Sequence, residues 1–188
     1  MWKKEIRLAG SGGQGLGLAA MVLADAALRA GLQVSTLQSY GPEARGGASR
    51  SDVTLCDQDI ANPWFSKPAV LLALNEKAWM KYGPELAEDD LALVDSDWVK
   101  LPERRTVYQI PLERIAKTEM REKLAANMVA VGALAAAIGR IPLNVLMEAA
   151  RSRAPKGFAR INQDAIRRGW ELMEDLKGGV DRGGARGA

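Results

Sequence analysis

A three-layer α/β/α fold, with a mostly parallel or mixed sheet, is the architecture this sequence predicts, on three observations. Strand-like and helix-like segments alternate from the start of the chain, the pattern that builds β-α-β units. Residues 69–74 and 91–95 are nearly continuous apolar runs, as strands covered on both faces are. A glycine cluster at 10–15 stands between the first extended run, around Ile6 and Leu8, and an Ala- and Leu-rich segment. Together these read as a Rossmann-like α/β domain.

The elements follow in order. Residues 16–30 hold no breaker after Gly17 and read as a buried helix; Gly31 suits its left-handed stop. Residues 34–37 read as a second strand, parallel to the first through a crossover. A third strand is expected at 51–55, after a loop punctuated by Gly41-Pro42 and Gly46-Gly47. Strands at 69–74, 91–95 and 106–110 follow, with a short helix at 76–82 between the first two. The remainder is helical: 112–117, 121–138 stopped by Gly139, 142–150 opened by Pro142, and 162–176. Residues 1–176 are expected to form a single α/β domain. Residues 177–188 are Gly/Arg-rich and are expected to be a mobile tail.

Composition excludes several function classes. The chain has 188 residues, no His and one Cys. Without imidazole there is no Ser-His-Asp triad and no histidine base. One thiol makes no internal disulfide and holds no iron–sulfur cluster by itself. Nothing marks an oxidising compartment, so a cytoplasmic location is expected. The most apolar run, 128–138, is about half the roughly 20 residues a membrane span needs. Lys and Arg number 26 against 23 Asp and Glu, a formal charge of +3, too small to require nucleic acid. The expectation is no nucleic-acid partner and no membrane.

Two loops carry the functional signal. Gly10, Gly12 and Gly15, with Gly13 and Gln14 among them, match G-x-G-x-x-G. Glycines let backbone approach an anion, and a following helix offers free N–H groups and a positive dipole end. The same glycines are equally read as a tight strand-to-helix turn. A dinucleotide site wants a carboxylate at the end of the second strand, about 20 residues on. That strand instead ends Leu37-Gln38-Ser39-Tyr40. A P-loop needs Lys and Ser/Thr after its last glycine, where this chain has Leu16-Gly17. The second loop, Tyr40-Gly41-Pro42-Glu43-Ala44-Arg45-Gly46-Gly47, leaves a strand's carboxyl end, where open α/β sheets bind ligands. Arg45 there is either a fork for carboxylate or phosphate or half of a surface ion pair.

These loops, together with Ser49-Arg50, Ile60-Ala61-Asn62-Pro63, Leu72-Ala73-Leu74-Asn75, Gly132-Ala133-Leu134 following Asn127, and Asn162, Ala165 and Gly169, resemble the gamma subunit of 2-oxoacid:ferredoxin oxidoreductases. The 2-oxoglutarate branch is nearest, with the pyruvate and ketoisovalerate branches close. The resemblance implies one subunit of a thiamine-diphosphate-dependent enzyme. That enzyme oxidatively decarboxylates a 2-oxoacid to an acyl-coenzyme A and passes electrons through iron–sulfur clusters to ferredoxin. This chain would bind no cofactor alone and carry no catalytic residue. It would dock on alpha and beta subunits, with a delta subunit in some assemblies. Its Gly10–Gly15 loop would either help form the coenzyme A site or press only against a partner subunit. The cofactor-binding residues this implies are Gly10, Gly12, Gly13, Gln14, Gly15, Tyr40, Gly41, Pro42, Glu43, Arg45, Gly46, Gly47 and Asn75. A stand-alone nucleotide- or anion-binding module without catalysis is the alternative.

Other residues have two readings. Asn75 and Asp95 end apolar strands at the ligand-binding edge and either cap the next element or bond a ligand. Trp64-Phe65 between prolines suits an interface anchor or core packing. Cys56 reads as a small buried hydrophobe. The basic stretch from Arg151 to Arg168 reads as a solvated face, or as a patch for phosphate or an acidic partner.

Overall fold

The computed structural model describes residues 1–38, 48–100 and 106–183. Six strands form one mixed sheet in the order β2-β3-β1-β4-β5-β6. They are β1 (Lys3–Gly10), β2 (Gln33–Gln38), β3 (Ser49–Cys56), β4 (Val70–Ala73), β5 (Leu91–Asp95) and β6 (Val107–Ile110). β1, β4, β5 and β6 run parallel. The helices are α1 (Leu16–Arg29), α2 (Glu76–Tyr82), α3 (Leu112–Ile115), α4 (Ala126–Ile138), α5 (Leu143–Arg153) and α6 (Ala159–Gly183). Among the described residues no helix is long and apolar enough to cross a membrane.

β3 refines the sequence expectation. It lies between β1 and β2 and is antiparallel to both. β1 and β2 therefore run parallel, as a crossover through α1 requires, but they are not hydrogen-bonded neighbours. A charge pair accompanies this register. Arg7 of β1 faces Asp52 of β3, and its guanidinium grips that carboxylate at 2.8 and 3.0 Å. Glu85 accepts a further bond from Arg7 at 2.5 Å. The rings of Phe65 and Tyr82 lie 4.9 and 4.8 Å from the guanidinium.

The two faces are covered unequally. Ile6, Leu8, Val53, Leu55, Leu72 and Leu93 turn toward α1, α4, α5 and α6 in one large core. Ala9, Leu71, Ala73 and Val94 turn the other way, toward Ala78 and Tyr82 of α2. α4 is buried along almost its whole length, from Asn127 to Ala136, because α6 covers the side that α1 and α3 leave open. This close packing requires glycine. A Cβ on Gly132 would collide with the Ile166 carbonyl, and one on Gly169 with the Val129 carbonyl.

Several helix ends differ from the sequence reading. The expected helix at 121–138 begins only at Ala126. Before it the chain makes a π turn, Ala116–Met120, reverses at Arg121 with φ 55°, and enters a short 3₁₀ turn, Lys123–Ala125. Glu122 starts that turn by accepting the Leu124 N–H at 3.0 Å. A left-handed residue cannot continue a right-handed helix, so a single helix across Arg121 does not form. α5 reaches Arg153, with Pro142 extended before it. α6 runs from Ala159 to Gly183, past the expected end at 176. Cys56 is buried and free. Trp64 is 76% exposed, while its neighbour Phe65 packs on Arg7. Arg151, Arg153, Arg160, Arg167 and Arg168 each pair with a carboxylate, which makes that basic stretch an ion-paired surface.

Replacing Gly132 or Gly169 by Ala is expected to destabilise the chain by about 3 kcal/mol or more, because backbone must move to admit the methyl. Gly178→Ala has open space around it and is expected to be neutral or slightly stabilising. Urea unfolding midpoints at constant m value measure both.

Candidate functional site

β1, β4 and β5 end at one edge of the sheet, and each hands its last residues to the same place. From β1 comes the glycine turn. Gly13 and Gly15 have φ of 83° and 71°, the left-handed region that glycine enters freely. Gly12 and Gly13 have no heavy atom near the position of an added Cβ, so their backbone is open to an approaching group. Gly10 is required for another reason. The Gln14 carboxamide folds back over it, and a Cβ there would strike Gln14 Oε1. That oxygen accepts the Ser11 N–H at 2.6 Å.

From β4 comes Asn75. It caps α2, its Oδ1 accepting the Ala78 N–H at 2.9 Å. Its Nδ2 donates to Ser11 Oγ at 2.9 Å and to Gln14 Oε1 at 3.3 Å. Capping and site contact, alternatives in the sequence, are both made by one carboxamide. From β5 comes Asp95, whose buried carboxylate accepts the N–H groups of Asp97 at 3.0 Å and Glu113 at 2.8 Å. Burial pushes the Asp95 carboxyl above its ordinary range, although those two N–H bonds oppose the shift.

A cavity of about 480 Å³ opens between Gly12–Gln14 and Asn75 on one side and Trp98, Glu113, Lys123 and Leu124 on the other. Trp98 and Leu124 are each more than half exposed, giving the mouth an apolar rim. Glu113 accepts from Trp98 Nε1 at 3.1 Å and pairs with Lys117 and Lys123 at 2.5 and 3.3 Å. Burial alone would raise its pKa. The bonds from Lys117 and Lys123 outweigh burial and hold the carboxyl below its usual range.

α4 closes the site from beneath. Asn127, buried in its first turn, donates Nδ2 to the Gly15 carbonyl at 3.1 Å, and a Cβ on Gly15 would collide with that nitrogen. The other side of the glycine turn faces a second cavity of about 390 Å³, bordered by Gly15, Leu16 and Gly17 and by Gln38, Ser49, Arg50 and Ser51. No side chain caps α1, and its first turn holds no acidic residue, so its leading N–H groups stay available.

The structure thus brings together six of the sequence-predicted residues: Gly10, Gly12, Gly13, Gln14, Gly15 and Asn75. Tyr40, Gly41, Pro42, Glu43, Arg45, Gly46 and Gly47 lie outside the described residues. The chain on either side of them, at Gln38 and Ser49, borders this edge. Sequence reading did not place Trp98, Glu113, Lys123 or Asn127 at the site. The Glu113–Lys117 spacing is a helical i,i+4 pair and signals itself locally. Asn127 in an apolar helix has no local signal for its contact with Gly15.

The depressed Glu113 carboxyl implies a pH dependence. A carboxyl lowered by folding contributes stability above its unfolded value of about 4.5, and this contribution is lost as pH falls through the folded value. The stability difference between the native chain and Glu113→Gln is therefore expected to be constant near neutrality and to shrink below pH 4.5. Urea midpoints from pH 3 to 7 test this.

The family profile of pyruvate ferredoxin/flavodoxin oxidoreductases matches residues 5–172. A 2-oxoglutarate synthase subunit KorC from Methanocaldococcus jannaschii is 40% identical over 179 residues, covering 93% of this chain and 96% of that protein. The keto/oxoacid ferredoxin oxidoreductase gamma subunit of Geobacter sulfurreducens superposes with a TM-score of 0.81 at 39% identity, covering 92% of this chain and 99% of that one. The 2-oxoglutarate:ferredoxin oxidoreductase of Magnetococcus marinus, solved with 2-oxoglutarate, coenzyme A and succinyl-CoA bound, superposes with a TM-score of 0.80 at 26% identity. It covers 93% of this chain, which spans 32% of that longer polypeptide. None of these three relatives supports the stand-alone binding module. The chain belongs to the pyruvate ferredoxin/flavodoxin oxidoreductase family, as a gamma-type subunit of a multi-subunit 2-oxoacid:ferredoxin oxidoreductase.

Proposed function

We propose that this subunit completes the coenzyme A site of an enzyme acting on 2-oxoglutarate. The observation that carries the reading is the open glycine turn. Gly12 and Gly13 present unobstructed backbone at the uncapped end of α1, beside a cavity with an apolar mouth. An extended ligand with anionic and apolar parts fits that combination. Gln14 and Asn75 hold the turn in its open shape, and Asn127 supports it from below. The identity to 2-oxoglutarate synthase subunits and the coenzyme A in the Magnetococcus marinus enzyme support the same reading.

Thiamine diphosphate would supply the decarboxylation chemistry, on the larger alpha and beta subunits. Iron–sulfur clusters there, or on a delta subunit, would pass electrons to ferredoxin. One Cys and no His give this chain no cluster ligand set of its own. Its work is to bind and orient the acyl acceptor and to exclude water at the join with its partners. Arg45 and the glycines around it follow β2 in the sequence and on this reading serve the same ligand. The location is cytoplasmic on this reading, with the enzyme's ferredoxin.

Purification of the tagged chain from its host tests the assembly, with iron, thiamine diphosphate and larger subunits expected in one peak that oxidises 2-oxoglutarate. A lone chain with no iron would overturn it. Asn75→Asp keeps the α2 cap but loses the donor to Ser11 and Gln14 and adds a negative charge beside the turn. In the assembled enzyme it is expected to raise KM for coenzyme A about tenfold with the KM for 2-oxoacid unchanged. Arg45→Ala is expected to lower acyl-coenzyme A formation with this subunit still folded and assembled. Unchanged turnover would remove Arg45 from the site.

A further inference from the structure

Helices clad one face of the sheet fully and leave the other thinly covered. α1, α4, α5 and α6 cover the first in the large core. On the second, α2 is the helix that packs against the sheet among the described residues. Its seven residues span about 10 Å, whereas six strands are roughly 24 Å across. Parallel strands are ordinarily covered on both faces. Beside α2 the cover is an irregular segment, residues 57–69. Pairing places Leu37 opposite Asp52 and Asp52 opposite Arg7. Leu37 therefore lies on this thinly covered face, and it is 44% exposed.

The irregular segment holds a tryptophan out on a braced loop. The Asp57 carboxylate accepts the Trp2 N–H at 2.8 Å, and the Asn62 carboxamide oxygen accepts the Trp64 N–H at 3.0 Å. Phe65 lies on the Arg7 guanidinium, and Glu5 accepts the Ser66 N–H at 2.9 Å. Trp64, between these fixed points, is 76% exposed. Across Arg7, α2 turns Tyr82 onto the same guanidinium and leaves Met80 70% exposed. Aromatic and Met side chains are what interfaces concentrate, and a loop already ordered has little entropy to lose on docking. Lys67, Lys77 and Lys81 are exposed along the same two elements, and Arg50 lies 5.9 Å from the Tyr82 ring. The carboxylates of Glu5, Asp52, Asp57 and Glu85 are taken up within the chain. Asp59 and Glu76 are left to offset those four cations, so the rim is positive on balance.

We propose that this face, centred on Trp64 with Met80 and Leu37 around it, seats a larger subunit of the same oxidoreductase, which meets it with an apolar patch and a carboxylate-bearing rim. The occupant follows from the chain's place in a multi-subunit enzyme. In the Magnetococcus marinus enzyme the region matching 93% of this chain is 32% of one polypeptide, so there the domain is tied covalently to the rest. A separate subunit has surface contact alone to hold it, and a thinly covered sheet face with a braced tryptophan supplies that contact. The inference rests on the assembly reading and is independent of the coenzyme A reading.

The test uses the assembled enzyme. Hydroxyl-radical footprinting is read by mass spectrometry, and release of this subunit on dilution is read by mass photometry. Trp64 and Met80 are expected to lose their oxidation in the intact enzyme and regain it in the released subunit. Trp64→Ser is expected to raise the dissociation constant of this subunit about thirtyfold, a typical loss for a central aromatic. Lys77→Glu is expected to raise it about two- to fivefold at low salt, and native affinity in that variant overturns the carboxylate rim. Equal oxidation of Trp64 and Met80 in the enzyme and in the released subunit overturns the docking face, whether or not the Trp64→Ser chain folds. So does shielding that persists in a cofactor-free pair of copies of this chain, which would make a second copy the occupant. Failure of the assembly reading shows separately, as native chain that purifies without iron or larger subunits.

Discussion

The approach of α4 to α6 at Gly132 and Gly169 is the contact on which the rest of the molecule depends. At this crossing each glycine faces the other helix's backbone, with no room for a side chain. Bringing the axes so close allows α4 to be apolar nearly all round and buried on every side. A helix buried in this way has its position set by the packing, to within the tolerance of a close-packed interior. The consequence is felt at the helix's other concern, its first turn, where Asn127 meets the Gly15 carbonyl. The glycine-turn edge of the sheet is thus braced by a helix pair drawn from the last third of the chain.

A second constraint works on the opposite face. Arg7, 3% exposed, is held by Asp52 and Glu85 between two aromatic rings. Burial disfavours its charge, but the two carboxylates more than offset that and raise its pKa. Taking charges out of water is costly, and such a pair is poor evidence of net stability. Its stronger effect is on pairing. Only one register of β3 against β1 sets Asp52 opposite Arg7, and any slip would leave the buried guanidinium to Glu85 without its bidentate partner. That same register puts Ser49 opposite Gly10 and Ser51 beside it, beneath α1. The buried ion pair on one face and the serine wall on the other are two results of one strand alignment.

The candidate site is braced by its own hydrogen bonds. Its polar side chains bond to one another before any ligand arrives: Gln14 to Ser11, Asn75 to both, Asn127 to Gly15. Such preorganisation lowers the ordering cost of binding. The other groups at the two cavities are backbone N–H groups and hydroxyls on one side, and Asp95, Glu113 and Lys123 with an apolar mouth on the other.

What the sequence by itself determined is everything encoded locally. The glycine turn, the α2 helix at Glu76–Tyr82 with its Asn75 cap, the buried strand Leu91–Asp95 and the Gly139 stop are all legible because each depends on residues within one turn or one strand. Six of the predicted site residues come together for the same reason: a strand's carboxyl end is a position that topology guarantees. Tertiary structure alone decided the rest. Nothing near Ser51 says that β3 will enter between β1 and β2, because strand pairing is settled by partners far along the chain. Nothing near Gly132 announces the Ile166 carbonyl, and an apolar run gives the same pattern whether it begins at Arg121 or at Ala126. Asn127, Glu113, Lys123 and Trp98 reach the site through contacts between elements distant in sequence. Local propensity cannot register such contacts, since their energy exists only once the layers have packed.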